Sequence, residues 1–305
     1  MIFPFREIDY YRFGLDAGLR NLLGNGFTIG LRKTVGKISQ PINSYTRFPE
    51  YFYMDRAVSN YVMENRARNP VRILDVGSPK CFGLYLANKL DVDLEMTDVS
   101  RMNLDEYQIM AERLKPKAKG RFHFAVQDAR SLDYEDAAFD IVYSMSVIEH
   151  VEGERGDSQS VLEMVRVLKP GGLLLISVPF GKRYIEQQRR GFAHAVERTT
   201  DQSLYFFQRI YDQAAVESRI VPALEGLRVR SQWTIWREKE LPVRMFRMLG
   251  ENAQGLLGFL NPLLSSWCNR CAGGIVPDIP GCYGETHSSN DFYGDLVLIV
   301  EKKAA

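Results

Sequence analysis

Apolar positions fall in two rhythms through the middle of the chain. Short continuous apolar runs predict strands at 71–76, 93–97, 121–126, 139–145 and 172–178. Between them, apolar residues recur every three or four positions. Phe82, Leu84, Leu86, Ala87 and Leu90 predict one helix; Leu104, Tyr107, Met110, Ala111 and Leu114 a second; Val161, Leu162, Val165 and Leu168 a third. Strands alternating with helices imply a parallel sheet covered on both faces. Lys169-Pro170-Gly171-Gly172 predicts a helix stop and a turn into the next strand. A charged loop at 181–201 then precedes a predicted helix over 202–217 carrying Leu204, Phe207, Ile210, Tyr211 and Ala214. Leu227 to Trp236 reads as a sixth strand and Asp295 to Glu301 as a seventh, paired as an antiparallel edge. The expected fold class is α/β: a doubly wound, seven-stranded, mostly parallel sheet with its last strand antiparallel.

The flanks are less regular. In residues 1–53, Ile8, Tyr11, Leu15, Leu19, Leu22 and Leu23 suggest an amphipathic helix, and Gly24, Gly26, Gly30 and Gly36 then break regularity. Pro41 and Pro49 bracket an aromatic segment with Tyr45, Phe48, Tyr51, Phe52 and Tyr53. This extension reads as a lid over a ligand or as packing that covers the sheet. Asp55 is a candidate N-cap for a helix through Ala57, Val58, Tyr61 and Val62 that ends near Asn69-Pro70. Residues 238–290 form a long insertion between the last two strands. Its apolar patch, from Val243 through Leu256, Phe259 and Leu263 to Trp267, reads as helical and suits a lid, a dimer contact or a membrane surface.

Composition narrows the classes. The 305 residues are 45% apolar and 25% charged, as in a soluble globular protein. A formal net charge of +1 argues against a dedicated nucleic-acid binder, which needs a strongly basic face. No apolar window reaches the ~18 residues of a spanning helix. The start, Met1-Ile-Phe-Pro-Phe-Arg-Glu, lacks a basic region followed by an apolar core, so no secretory signal is expected. Four cysteines do not make a disulfide scaffold in a chain this long, and a cytoplasmic location is the expectation. Cys268, Cys271, Cys282 and His287 are four potential zinc ligands, but no second paired knuckle accompanies the first, and no metal is assigned.

The chemistry concentrates between Arg72 and Ser100. An apolar strand, Ile73 to Val76, runs into Gly77; a helix follows; a second strand ends at Asp98. In a doubly wound sheet that acid lies beside the loop after the first strand, where it can accept both hydroxyls of a ribose. Its place 21 residues after Gly77 matches that role. A nucleoside-containing cofactor is therefore expected.

Five segments in register resemble the class I methyltransferases that depend on S-adenosylmethionine, with a type 11-like core of Rossmann-like fold. They are Ile73-Leu74-Asp75-Val76-Gly77, Thr97-Asp98-Val99-Ser100, Asp128-Ala129 with Phe139-Asp140-Ile141-Val142, Val147-Ile148-Glu149-His150-Val151, and Arg166-Val167-Leu168-Lys169-Pro170-Gly171-Gly172. The resemblance covers about 71–180 and implies a methyltransferase domain over 54–305. It implies cofactor contacts at Asp75, Gly77, Ser78, Asp98, Val99, Asp128, Ala129 and Ser144. Asp75 would hold the methionine amino group, and Asp128 with the Ala129 N–H would meet the adenine. His150 and Glu149 are the candidate catalytic residues; a histidine near neutrality is suited to general base work, and shaping the pocket is the alternative role.

One departure stands out. The family's Gly-x-Gly-x-Gly is here Gly77-Ser78-Pro79-Lys80-Cys81, with Pro79 and Cys81 where the second and third glycines would be. Proline fixes φ and donates no N–H, so the loop takes another turn or the methionine end is held differently. Ser177-Val178-Pro179-Phe180 differs from the Asn-Pro-Pro-Tyr type used on nitrogen, which favours an oxygen or carbon acceptor. Val178-Pro179-Phe180-Gly181 with Phe207 to Asp212 is weakly similar to methyltransferases of bacterial surface-glycan assembly, and Lys182, Arg183, Arg189 and Arg190 are candidates for a sugar-linked phosphate. The expected function is methyl transfer to a small molecule or sugar, on oxygen. The alternatives are a nicotinamide-dependent oxidoreductase, whose Gly-x-Gly-x-x-Gly is absent, and a silent binding or assembly relative.

Overall fold

The computed structural model describes residues 47–65, 70–114, 118–190, 204–236, 275–277 and 292–303. Ten strands fall within them: β1 Val71–Val76, β2 Val92–Asp98, β3 Arg121–Val126, β4 Phe139–Met145, β5 Leu168–Gly181, β6 Ile185–Arg190, β7 Leu204–Ile210, β8 Leu227–Trp236, β9 Ile275–Pro277 and β10 Phe292–Lys302. The main helices are α1 Arg47–Glu64, α2 Lys80–Lys89, α3 Arg101–Leu114 and α4 Gly156–Val167.

Eight strands form one sheet in the order β3-β2-β1-β4-β5-β10-β8-β9. β3, β2, β1, β4 and β5 are parallel neighbours. β10 runs antiparallel between β5 and β8, and the short β9 extends the edge. The strand order reverses beside β1, between β2 and β4, where ligand sites form in open α/β sheets. The expected fold class holds, with the predicted sixth and seventh strands as β8 and β10.

Alternation along each strand feeds two cores. Ile73, Met96, Ile141, Tyr143 and Leu175 pack with Tyr51, Met54, Val58, Phe82 and Ala111 on one face. Leu74, Val76, Val142, Leu174, Leu296 and Leu298 pack with Val161, Met164, Val216 and Ile220 on the other. Both faces of the parallel strands are thus dry, which is why their sequences read as continuous apolar runs rather than alternating ones.

Three expectations are corrected. Residues 204–210 are a strand, not the start of a helix, and pair antiparallel with 185–190, which is a strand rather than loop. Buried Phe207, Arg209 and Tyr211 share the inward face of this hairpin. An arginine in that set hides the period of two, and the remaining apolar positions mimic a helical spacing. The helical turns come later, at 213–224. Asp55 is not an N-cap: α1 begins at Arg47, because Pro49 is tolerated in a first turn. Asp55 lies mid-helix, takes Lys89 Nζ on both oxygens at 2.7 Å, and burial pushes its carboxyl pKa up. Lys169-Pro170-Gly171-Gly172 does not separate helix from strand; it is an irregular stretch inside β5, across which the pairing jumps from Phe139–Leu168 to Ile141–Leu173. Most of the 1–53 extension, the 191–201 part of the charged loop and nearly all of 238–290, with Cys268, Cys271, Cys282 and His287, lie outside the described residues.

Candidate functional site at the carboxyl edge of the sheet

A cavity of about 340 Å³ opens where β1, β2, β3 and β4 end. Gly77, Asp98, Val99, Asp128, Ala129 and His150 line it. Asp75, Ser78, Ser144 and Glu149 do not; all four are buried.

Gly77 makes the turn out of β1. Its φ is +71°, and a Cβ there would lie 2.6 Å from Val147 Cγ1. Its N–H donates to the Thr97 carbonyl at 3.0 Å, which draws the turn against β2. Only glycine fits both the dihedral and the gap. Ser78 and Ser144 brace this turn from beneath. Ser78 Oγ accepts from Met145 N at 2.9 Å, and Ser144 Oγ donates to the Val76 carbonyl at 3.1 Å.

Asp98 ends β2 half-buried. Its Oδ1 accepts from Ser100 N at 2.8 Å, and Asn103 Nδ2 reaches Oδ1 and Oδ2 at 3.3 and 3.5 Å. These bonds fix the carboxylate plane at the cavity wall. Val99 beside it is 53% exposed, an apolar surface a base can cover. Asp128 follows β3 and is clamped by Arg130, whose Nη2 lies 2.6 Å from Oδ2 and whose Nε lies 3.0 Å from Oδ1. That guanidinium holds the carboxyl pKa below the ordinary range.

His150 ends the 3-10 turn Ile148–His150. Its Nδ1 is 2.7 Å from the Phe207 carbonyl of β7. A carbonyl only accepts, so Nδ1 carries the proton and Nε2 is the basic nitrogen of the neutral ring. Phe207 also packs edge-on to the imidazole at 5.3 Å. Nε2 lies 3.7 Å from Glu149 Oε1. Tyr205 and Phe206 of β7 close the same side of the cavity.

Several members of the site went unmarked in the sequence. Asn103 and Arg130 orient the two edge acids. Ser146 lines the cavity with φ at +49°, its Oγ donating to buried Glu50 of α1 at 3.3 Å. That bond joins residues 96 positions apart, so no local pattern announces it. Asn103 alone had a signal: it sits on the first turn of the helix after Asp98, within reach of that acid.

Asp75 is held differently from the cavity acids. Ser78 N donates to Oδ1 at 2.8 Å, and Lys80 Nζ approaches Oδ2 at 3.2 Å with neither side chain more than 2% exposed. Burial pushes the Asp75 carboxyl pKa up. Among the described residues no cluster of three metal-ligating side chains occurs, and no helix is long and apolar enough to cross a membrane.

Residues 74–176 match a family model described as a methyltransferase domain. The chain is 32% identical over 158 residues to a demethylmenaquinone methyltransferase of Leptospira interrogans, covering 48% of this chain and 58% of that protein. It is 27% identical over 135 residues to phosphoethanolamine N-methyltransferase 2 of Caenorhabditis elegans, covering 44% and 28%. The matched stretch thus spans less than two thirds of either relative. Among solved structures, the [4+2]-cyclase SpnF superposes with a TM-score of 0.50 at 21% identity, covering 82% of this chain and 81% of that one. This last likeness is one of fold.

Proposed function

We propose, from a core that belongs to the class I methyltransferases dependent on S-adenosylmethionine, that this protein transfers that cofactor's methyl group to a small-molecule acceptor. The observation that carries the reading is the convergence of Asp98, Asp128 and His150 on one cavity at the reversal point of the sheet. The adenosyl end of the cofactor suits these residues. Asp98 offers two oriented oxygens to a ribose diol, Val99 offers an apolar surface to the base, and Ala129 lies beside Asp128 for the adenine edge.

When bound, the cofactor supplies a methyl group on a sulfonium, already a good electrophile. The chain's own task is then to orient the acceptor and exclude water. Tyr205 and Phe206 supply an apolar wall for that purpose. An alcohol acceptor must also lose a proton. His150 Nε2 is the group we assign to take it, because the Phe207 carbonyl keeps the other ring proton on Nδ1. We hold oxygen as the acceptor atom, supported by this base and by Ser177-Val178-Pro179-Phe180 at the carboxyl end of β5, where the Asn-Pro-Pro-Tyr type used on nitrogen is absent. Of the two relatives named above, one is an N-methyltransferase by name.

The test joins binding and turnover. Calorimetry of the full chain with S-adenosylhomocysteine is expected to give one site per chain. Transfer of labelled methyl to a panel of hydroxylated metabolites is expected to fall about 10²- to 10⁴-fold in His150→Gln while binding is kept. Absence of adenosyl binding overturns the reading. Undiminished turnover in His150→Gln overturns the base assignment.

A further inference from the structure

Asp75 and Lys80 form a buried pair that the methyl-transfer reading leaves unused. Lys80 is the first residue of α2, directly after Pro79. Helical side chains lean towards the helix N-terminus, so this one folds back under the β1 turn. Its Nζ lies 3.2 Å from Asp75 Oδ2 and 2.7 Å from the Ser78 carbonyl. Asp75 is fully buried and Lys80 is 2% exposed. The Tyr143 hydroxyl, also buried, makes no hydrogen bond among the described residues.

The charges here are balanced: one carboxylate and one ammonium, both out of water. A second ammonium entering beside Asp75 would leave an unpaired positive charge in a dry site. Displacing Lys80 would leave its ammonium at a helix N-terminus, the end that repels cations. Among the described residues, moreover, the cavity wall beside β1 is made by Val76 and Gly77, not by Asp75 or Lys80.

We propose that Lys80 takes the place of the cofactor's own ammonium at Asp75, so that the site recognises the adenosyl end and is nearly indifferent to the amino-acid end. Lys80 is thereby a specificity-determining residue. The inference rests on the adenosyl reading of the cavity and adds to it which part of the ligand is read.

The experiment compares two ligands by calorimetry on the full chain: S-adenosylhomocysteine, and 5′-methylthioadenosine, which has the same nucleoside and thioether but no amino acid. In the natural chain the two Kd values are expected within tenfold of each other. In Lys80→Met, which keeps the stem and removes the ammonium, Asp75 is freed and the preference for S-adenosylhomocysteine is expected to rise at least tenfold. A natural chain that binds S-adenosylhomocysteine more than tenfold tighter overturns the inference and leaves the methyltransferase reading standing. So does a Lys80→Met chain, folded by circular dichroism, whose preference does not change. If neither ligand binds, the adenosyl reading fails first and this inference with it. Should Lys80→Met not fold, the ratio measured on the natural chain decides alone.

Discussion

Asp157 stands in the first turn of α4. Its carboxylate is fully buried. Arg219 Nε and Nη2 lie 2.7 and 2.8 Å from its two oxygens, Tyr211 Oη donates at 2.9 Å, and Ser158 N donates at 2.9 Å. Arg209 Nε is 3.8 Å away and its side chain is 2% exposed. Arg209 also donates to the Val151 carbonyl at 2.6 Å and the Gly153 carbonyl at 2.5 Å, so β7 is bolted to the loop that follows His150. Asp157→Asn keeps the shape but removes the buried anion beside Arg209, leaving it only half-exposed Glu186, 3.3 Å from its Nε. Breaking a buried pair by removing one partner costs ~3–5 kcal/mol. Asparagine still accepts a hydrogen bond, and Arg219 can turn to solvent, so we take the lower end, about 3 kcal/mol. At ~2–4 °C per kcal/mol for a chain of this order, Tm falls by roughly 6–12 °C. Scanning calorimetry at pH 7 reads this, with Arg230→Ala as control, since its pair with Glu301 is half-exposed and worth no more than ~1 kcal/mol. The pH dependence has a defined sign. Burial raises the Asp157 pKa, but Arg219, Arg209, Ser158 and Tyr211 together outweigh it and hold it below the ordinary value. A depressed carboxyl contributes stability above its unfolded pKa of about 3.9, and that contribution disappears as pH falls through the folded value. The gap between natural chain and variant is therefore constant from pH 7 to about 5 and narrows below ~4. A variant within ~1 kcal/mol of the natural chain at pH 7 would refute the assignment of Arg209 as a dependent buried charge.

Two further outcomes follow from the site. Asp98→Asn removes the charge from the hydrogen bonds expected to a ribose; at ~1.5–3 kcal/mol, adenosyl affinity falls about 10- to 150-fold by calorimetry while Tm stays within ~1 °C, because the group is half-buried and its neighbours are neutral. Gly77→Ala places a Cβ 2.6 Å from Val147 Cγ1 at a φ of +71° and is expected to cost about 1–3 kcal/mol in chemical unfolding, with Val147→Ala in the same chain recovering part of it; no change on Gly77→Ala would show that the turn relaxes freely.

The sheet was legible because its strands carry their own signal. Ile73 to Val76 and Phe139 to Met145 are buried on both faces, and nothing but burial produces such runs. The edge acids at 98 and 128 were legible because a carboxylate at a strand end has a fixed address once the strand is known. The β6–β7 hairpin was not. Its inward row includes Arg209, whose charge is met by half-exposed Glu186 of β6 at 3.3 Å and by buried Asp157, 52 positions earlier, and no periodicity of hydrophobicity registers a buried cation. The same blindness concealed Glu50, buried under Ser146 from the far side of the chain. Sequence patterns report how a segment meets water. They do not report which distant partner makes a charge tolerable in its absence.

The three acids at 75, 98 and 128 make the point in one place. Each stands at or next to the carboxyl end of a neighbouring parallel strand, and all three look alike as residues. Asp75 is dry and carries its own counter-ion from α2. Asp98 is half-wet and is oriented by a neutral amide. Asp128 is likewise half-buried and is clamped by a guanidinium two residues away. Only Asp98 presents an uncompensated charge to the cavity through fixed, neutral neighbours, and so it has the most to gain from a ligand's hydroxyls. Asp128 must share its oxygens with Arg130, and Asp75 has none to offer without exposing Lys80. Ligand affinity should therefore be most sensitive to Asp98, less to Asp128, and least to Asp75 — an order set by solvation and partners rather than by position in the motif.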